Sequence, residues 1–390
     1  MSCKCNRNEE GGKMKIIDTA NNIAALAAKM ARPKVISAYP ITPQTTIVEK
    51  LAQYVESGEL KSEFIRVESE HSAMASCIGA EATGVRTFTA TSSHGLLLMH
   101  EMLHWAALAR LPIVMVNINR AIGPGWSIWS DCNDSIAQRD TGWLQFYCSS
   151  NQEVFDTIIQ AYRVAEHKDV QLPVMINYDG FILSHTSMPA DIPPQEEIDS
   201  FLPPYSPEWK LDVDKPITHG NIIGPEYYME VRYDMQLSQM KAKNVIKDID
   251  KEWHKTFGRS YGGLVEEYMC DDADTVIVAS GAIGAEAHAS VDELRKKGKK
   301  VGLARLRVFR PFPREELKKI AENSELIVID RNISVGMEGA MATEIKAAVG
   351  SDIKQFIAGL GGRDVTHKDI IRMYELAKEN KDGWYSVEVE

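Results

Sequence analysis

Short apolar runs punctuated by polar residues recur through the first half of the chain. Val35–Ala38, Phe64–Val67, Arg86–Thr91, Pro112–Asn117 and Pro173–Asn177 have the length and β-branched content of buried strands. Segments with apolar residues at helical spacing lie between them. Ile17–Met30 carries Ile17, Ala20, Ile23, Ala24, Ala27 and Met30 on one stripe and reads as a single helix. Thr45–Tyr54, His71–Thr83, Leu96–Leu108 and Val154–Ala165 read as four more, and Gly123–Asp134 as a loop rich in Gly and Trp. Near-continuous apolar strands that alternate with helices predict a doubly wound parallel sheet covered on both faces, with Pro173–Asn177 its last strand.

The pattern then changes. From Pro189 to about Thr218 the chain is rich in proline and acidic residues without periodicity, which predicts a connector over the surface. Glu226–Lys255 is helical in pattern. A second α/β rhythm follows, with strands at Thr275–Ser280, Val301–Leu306 and Glu325–Asp330, a helix at Ala285–Lys296 and an Arg310-Pro311-Phe312-Pro313 turn. The expected organisation is a disordered tail (1–14), a first α/β domain (15–188), a connector (189–260) and a second α/β domain (261–390).

Composition narrows the class. A chain of 390 residues exceeds one typical core, so two domains are natural. A net charge of −11 argues against nucleic acid or an anionic membrane as partner. No apolar run has the length of a bilayer span, and the polar start lacks a secretory h-region, so a cytoplasmic protein is expected. Six scattered cysteines contain no CxxCxxC run, so no iron–sulfur cluster is expected on this chain. Cys3 and Cys5 read as solvated thiols, and no metal-ligand set is expected.

Candidate chemistry gathers where predicted strands end. Val35–Ala38 runs into Tyr39-Pro40-Ile41-Thr42-Pro43, where two prolines stop the strand and hold Tyr39 and Thr42 extended. Ligands in open α/β sheets bind at that edge. An ordinary strand-to-helix turn, with Thr42 or Gln44 capping the next helix, fits the same residues. Glu70 closes one strand and opens a helix, and Arg120 follows another strand. A carboxylate at a helix N-terminus and a structural salt bridge are the simpler readings of those two.

Tyr39-Pro40-Ile41-Thr42-Pro43-Gln44, Glu68-Ser69-Glu70-His71-Ser72-Ala73, Thr89–Leu96, Asn119-Arg120-Ala121 and Arg139-Asp140-Thr141-Gly142-Trp143 occur in an order that resembles a known family. It is the alpha subunit of the pyruvate:ferredoxin oxidoreductases (pyruvate synthases), within the 2-oxoacid:ferredoxin oxidoreductases. The resemblance runs from about Asn21 to about Val365. It implies a thiamine-diphosphate-binding domain of the pyrimidine type, followed by a transketolase C-terminal-like α/β domain. It implies CoA-dependent oxidative decarboxylation of pyruvate to acetyl-CoA and CO2, reversible, with electrons passed to ferredoxin. The alternatives are the same chemistry on 2-oxoisovalerate or 2-oxoglutarate, or a non-catalytic assembly subunit.

By resemblance Glu70 is the carboxylate that activates the cofactor through its pyrimidine nitrogen, with Glu68 as local competitor. Thr42 and Arg120 match the substrate-binding pair, and Tyr39 and Pro40 join Glu70 at the cofactor. His94 stands where glutamine is usual; an altered contact with cofactor or substrate and a satisfied loop histidine are both open. The chain lacks the Gly-Asp-Gly and Asn-Asn pattern that holds Mg2+ and diphosphate. The expectation is therefore a shared cofactor. A beta subunit would bring the diphosphate half, gamma and ferredoxin-like delta subunits complete the complex, and iron–sulfur clusters sit on partners only.

Overall fold

The computed structural model describes residues 14–388. The tail, with Cys3 and Cys5, lies outside them. The first part of the chain runs β1 (Met14–Thr19), α1 (Ala20–Ala31), β2 (Val35–Ala38), α2 (Thr45–Glu56), β3 (Glu63–Arg66), α3 (Glu70–Ala82), β4 (Thr87–Thr91), α4 (Ser93–Leu98) and α5 (His100–Leu108). Then come β5 (Val114–Asn119), α6 (Asn133–Ile136), β6 (Leu144–Tyr147), α7 (Asn151–Ala165), β7 (Val174–Asp179), β8 (Ser187–Ile192), α8 (Gln195–Phe201) and α9 (Pro225–Phe257). The rest comprises β9 (Val265–Tyr268), β10 (Thr275–Ala279), α10 (Gly281–Lys296), β11 (Val301–Leu306), β12 (Val308–Arg310), α11 (Arg314–Ala321), β13 (Glu325–Asp330), α12 (Ala340–Val349), β14 (Lys354–Ile357), α13 (His367–Lys378) and β15 (Gly383–Trp384).

The first sheet has seven strands in the order β12-β6-β7-β5-β4-β2-β3, and all but β12 are parallel. β4, β5 and β7 are buried along their whole length, as strands covered by helices on both faces must be. This order sets the loops after β5, β4, β2 and β3 side by side at one sheet edge. The second sheet has six strands in the order β15-β14-β13-β10-β11-β9, parallel except for β9. Among the described residues, no helix is long and apolar enough to cross a membrane.

Besides α8, a helix within the stretch expected to be an aperiodic connector, three features differ from the sequence pattern. The stretch Ile17–Met30 is not one helix: its start belongs to β1, which pairs antiparallel with β8. Thr19 then caps α1 by accepting the Asn22 amide at 3.3 Å. The apolar spacing ran through the break because Ile17 fits the helical stripe, although it is 73% exposed in the strand. Pro173–Asn177 is accordingly followed by a further strand, β8. The stretch Leu96–Leu108 is likewise divided, at Met99, into α4 and α5.

The third feature joins the two halves. β12 leaves the second half and pairs antiparallel with β6 at the edge of the first sheet. Two fully buried arginines flank this crossing. Arg305 reaches Glu153 of α7 at 3.0 Å and also pairs with Glu266 of β9. Arg307 donates to Gln160 at 2.9 Å and to the Gly263 carbonyl at 3.0 Å. At the end of β7, Asp179 accepts from Arg331 at 2.8 Å and from the Ala282 amide of α10 at 2.8 Å. Gly281 packs directly on this carboxylate: a Cβ there would stand 2.7 Å from Asp179 Oδ2.

Candidate functional site

The elbow after β2 is tied to β4. The Gln44 side chain accepts the Ile41 amide at 3.2 Å and donates to the Ala90 carbonyl at 2.8 Å. Gln44 occupies the N-cap position of α2 without capping it through its side chain. Tyr39, Pro40 and Thr42 are exposed along the elbow. The Thr42 hydroxyl has no hydrogen bond among the described residues, while its carbonyl accepts Arg120 Nη1 at 2.6 Å.

Glu70 enters from the neighbouring strand. Ser69 caps α3 by accepting the Ser72 amide at 3.3 Å, which sets Glu70 in the first turn. Glu70 is only 5% exposed, and its carboxylate takes no hydrogen bond from another residue among those described. Burial pushes its pKa up, against the opposing pull of its own amide and of the Arg120 charge. Gly95 is packed tightly against it: a Cβ on Gly95 would lie 2.5 Å from Glu70 Oε1 and 2.6 Å from Thr91 Oγ1. The Thr91 hydroxyl is itself buried without a partner. Glu68, two residues earlier, is exposed and bonded to the Ser72 hydroxyl, which holds its pKa below the usual range.

Arg120 completes the group from the end of β5. It is 5% exposed, and its guanidinium lies 4.9 Å from the centre of the Trp126 ring. Its Nε is buried without a partner, and its Nη2 stands 3.3 Å from His94 Nδ1. Desolvation lowers its pKa while Asp134 and Glu70 oppose that, and an arginine stays protonated regardless. The fold thus brings Thr42, Glu70 and Arg120 to one sheet edge, with Tyr39 and Pro40 beside them on the elbow.

Sequence reasoning missed the aspartate behind this edge. Asp134, fully buried, accepts the Ser93 amide (3.0 Å), the Arg120 amide (3.2 Å), Asn117 (3.3 Å), Asn119 (2.7 Å) and the Ser135 amide (2.7 Å). It therefore pins the loops that follow β4 and β5 to each other. Burial pushes its pKa up to about 7. Ser93, held at φ +48° in the left-handed region, also donates its hydroxyl to the Ala121 carbonyl at 2.8 Å. Nothing in the sequence separates Asp134 from other loop aspartates. Gly95 had a signal, since a glycine where a strand opens into a helix suggests close approach.

Comparisons with known proteins place the chain in a family. Residues 26–251 match the family described as "Pyruvate flavodoxin/ferredoxin oxidoreductase, thiamine diP-bdg", and residues 273–370 match "Pyruvate:ferredoxin oxidoreductase core domain II". The chain is 51% identical to pyruvate synthase subunit PorA of Methanothermobacter thermautotrophicus, over 93% of this chain and 95% of that one. It is 52% identical to ketoisovalerate oxidoreductase subunit VorA of Pyrococcus furiosus, over 90% and 91%. In structure it resembles the 2-oxoglutarate:ferredoxin oxidoreductase of Magnetococcus marinus, with a TM-score of 0.75 at 18% identity over 94% of this chain and 65% of that one. A split-gene transketolase matches with a TM-score of 0.55 at 13% identity, over 92% of this chain and 96% of that one. The likeness to these two structures shows the α/β fold, and the family models and near full-length relatives settle the kinship: the chain belongs to the pyruvate:ferredoxin oxidoreductase family and is an oxidoreductase subunit of the 2-oxoacid:ferredoxin type.

Proposed function

We propose that this chain supplies the pyrimidine half of a thiamine diphosphate site and the substrate contacts of a pyruvate:ferredoxin oxidoreductase. The observation that carries this reading is Glu70. A carboxylate that is only 5% exposed and takes no hydrogen bond from any other described residue is costly, and a ligand donor would help satisfy it. A protonated aminopyrimidine ring nitrogen is such a donor, so the residues present fit the cofactor. When bound, thiamine diphosphate supplies a thiazolium carbon that adds to the 2-oxo group and accommodates the electron pair released by decarboxylation.

Each side chain has a role that follows from its chemistry. Glu70, with its raised proton affinity, holds a proton at the pyrimidine nitrogen. Arg120, largely desolvated beneath Trp126, binds the carboxylate of the 2-oxoacid. The Thr42 hydroxyl would serve the carbonyl oxygen, and Tyr39 and Pro40 would contact the pyrimidine ring. The missing Gly-Asp-Gly pattern assigns Mg2+ and diphosphate to a beta subunit. Gamma and ferredoxin-like delta subunits with iron–sulfur clusters, external ferredoxin and coenzyme A complete a cytoplasmic complex.

Pyruvate is the substrate favoured by the pyruvate synthase relatives. The ketoisovalerate relatives match at the same level, which makes a branched 2-oxoacid the second reading. The test is ferredoxin reduction by the purified complex with pyruvate, 2-oxoisovalerate and 2-oxoglutarate in turn. The highest kcat/KM for pyruvate is expected, and a preference for either of the others contradicts the first reading.

A further inference from the structure

His94 is the residue in the site that the proposed roles leave unused. It follows the constrained Ser93 in α4 and is half-buried against the loop after Arg120. Its ring contacts are specific. The Gly123 amide lies 3.0 Å from Nε2, and a backbone amide can only donate, so Nε2 is the acceptor. The opposite tautomer would instead donate Nε2–H to the Gly123 carbonyl at 3.4 Å and accept Arg120 Nη2–H at Nδ1 at 3.3 Å, both long, and would leave the amide at 3.0 Å without an acceptor. In the neutral ring the hydrogen then sits on Nδ1.

Nδ1 lies 3.3 Å from Arg120 Nη2, which is also a donor. In this tautomer two donors face each other, and no other described residue accepts from either. The remaining arginine groups are not available to resolve this. Nη1 is committed to the Thr42 carbonyl at 2.6 Å, and Nε is buried. Trp126 touches both members of the pair. Trp126 meets the His94 ring edge-on at 6.1 Å and covers the Arg120 guanidinium at 4.9 Å. The turn that carries Trp126 leaves no room at Gly123, where a Cβ would stand 2.4 Å from Trp126 Cβ.

We infer that His94 Nδ1–H and Arg120 Nη2–H form a two-donor cradle for one oxygen of the 2-oxoacid carboxylate, which makes His94 a substrate-binding residue. The inference rests on the role proposed for Arg120. A single anionic oxygen set to one side, about 2.9 Å from each nitrogen, satisfies both donors, and such an oxygen is the acceptor the substrate class brings. A hydrogen bond to a charged group contributes enough for loss of one donor to weaken binding about tenfold.

The test uses the assembled complex and oxamate, an unreactive pyruvate isostere, titrated calorimetrically, with steady-state kinetics on pyruvate alongside. His94→Phe keeps a ring but removes the donor. It should weaken oxamate about tenfold and raise KM for pyruvate by a similar factor, with a smaller change in kcat. His94→Gln, which presents both an amide donor and an acceptor, should recover most of the affinity. Should His94→Phe fail to assemble, His94→Ala takes its place, with added imidazole expected to restore oxamate binding. Wild-type oxamate affinity in the Phe or Ala variant overturns the cradle. If Arg120→Ala weakens oxamate while His94→Phe does not, Arg120 keeps its role and only the His94 inference falls. If neither variant changes binding, the reading of the site itself falls.

Discussion

Gly95→Ala is a one-carbon change whose consequences follow from the packing of Glu70. The added Cβ would stand 2.5 Å from Glu70 Oε1 and 2.6 Å from Thr91 Oγ1, so the carboxylate must retreat by close to an ångström. The stability effect is small, because two terms oppose each other. Alanine gains about 1 kcal/mol of helix propensity over glycine in α4, and overpacking a tight site costs about 1–3 kcal/mol. The functional effect is larger. A displacement of about 1 Å in a positioned catalytic group costs on the order of 10²-fold in rate, or about 2.7 kcal/mol of barrier. The assay is CoA-dependent ferredoxin reduction by the assembled complex, with a thermal melt as the control for folding. The expected outcome is activity down about a hundredfold with a melting point close to wild type. Wild-type activity in a folded variant would refute the claim that Gly95 sets the position of the Glu70 carboxylate.

Two further predictions concern the frame. Asp179→Ala leaves the buried Arg331 guanidinium and the Ala282 amide without their acceptor, so denaturant unfolding should show a loss of about 3–5 kcal/mol, and a loss below about 1 kcal/mol would contradict the tie between the halves. Asp330 accepts the Met341 and Ala342 amides at the start of α12, and burial raises its pKa from 3.8 to about 7. The folded state therefore holds a proton there that the unfolded chain has released, and this group's contribution to stability falls as pH rises from about 4 through 7. Asp330→Asn should flatten that part of the pH dependence of the denaturation midpoint; an unchanged slope would show that Asp330 does not titrate in this range.

The sequence made the sheet edge legible because each of its loops follows a strongly patterned strand. The prolines after β2, the acidic residue opening α3 and the arginine after β5 could each be placed at a strand end. Which loops become neighbours is decided by strand order, and strand order is set by packing that no local pattern records. The features that escaped are short or non-local. β12 has three residues, too few for a periodicity to register, and it belongs in space to a sheet formed by the other half. β1 was hidden because its apolar residues continue the stripe of α1. Asp134 and the His94–Arg120–Trp126 bracket gain their meaning only from contacts between loops that strand order brings together.

The central claim is that Glu70 is the carboxylate partner of the cofactor's pyrimidine. It is tested most directly by Glu70→Gln in the assembled complex, read as hydrogen–deuterium exchange at the thiazolium C2 of bound thiamine diphosphate. Glutamine keeps the size and burial of the side chain but cannot serve as the anionic partner. Loss of such a group typically slows proton transfer about 10²–10⁴-fold. Slowing within that range, in a complex that still assembles and still binds oxamate, is the result the account predicts. Exchange at the wild-type rate would contradict it and turn attention to Glu68.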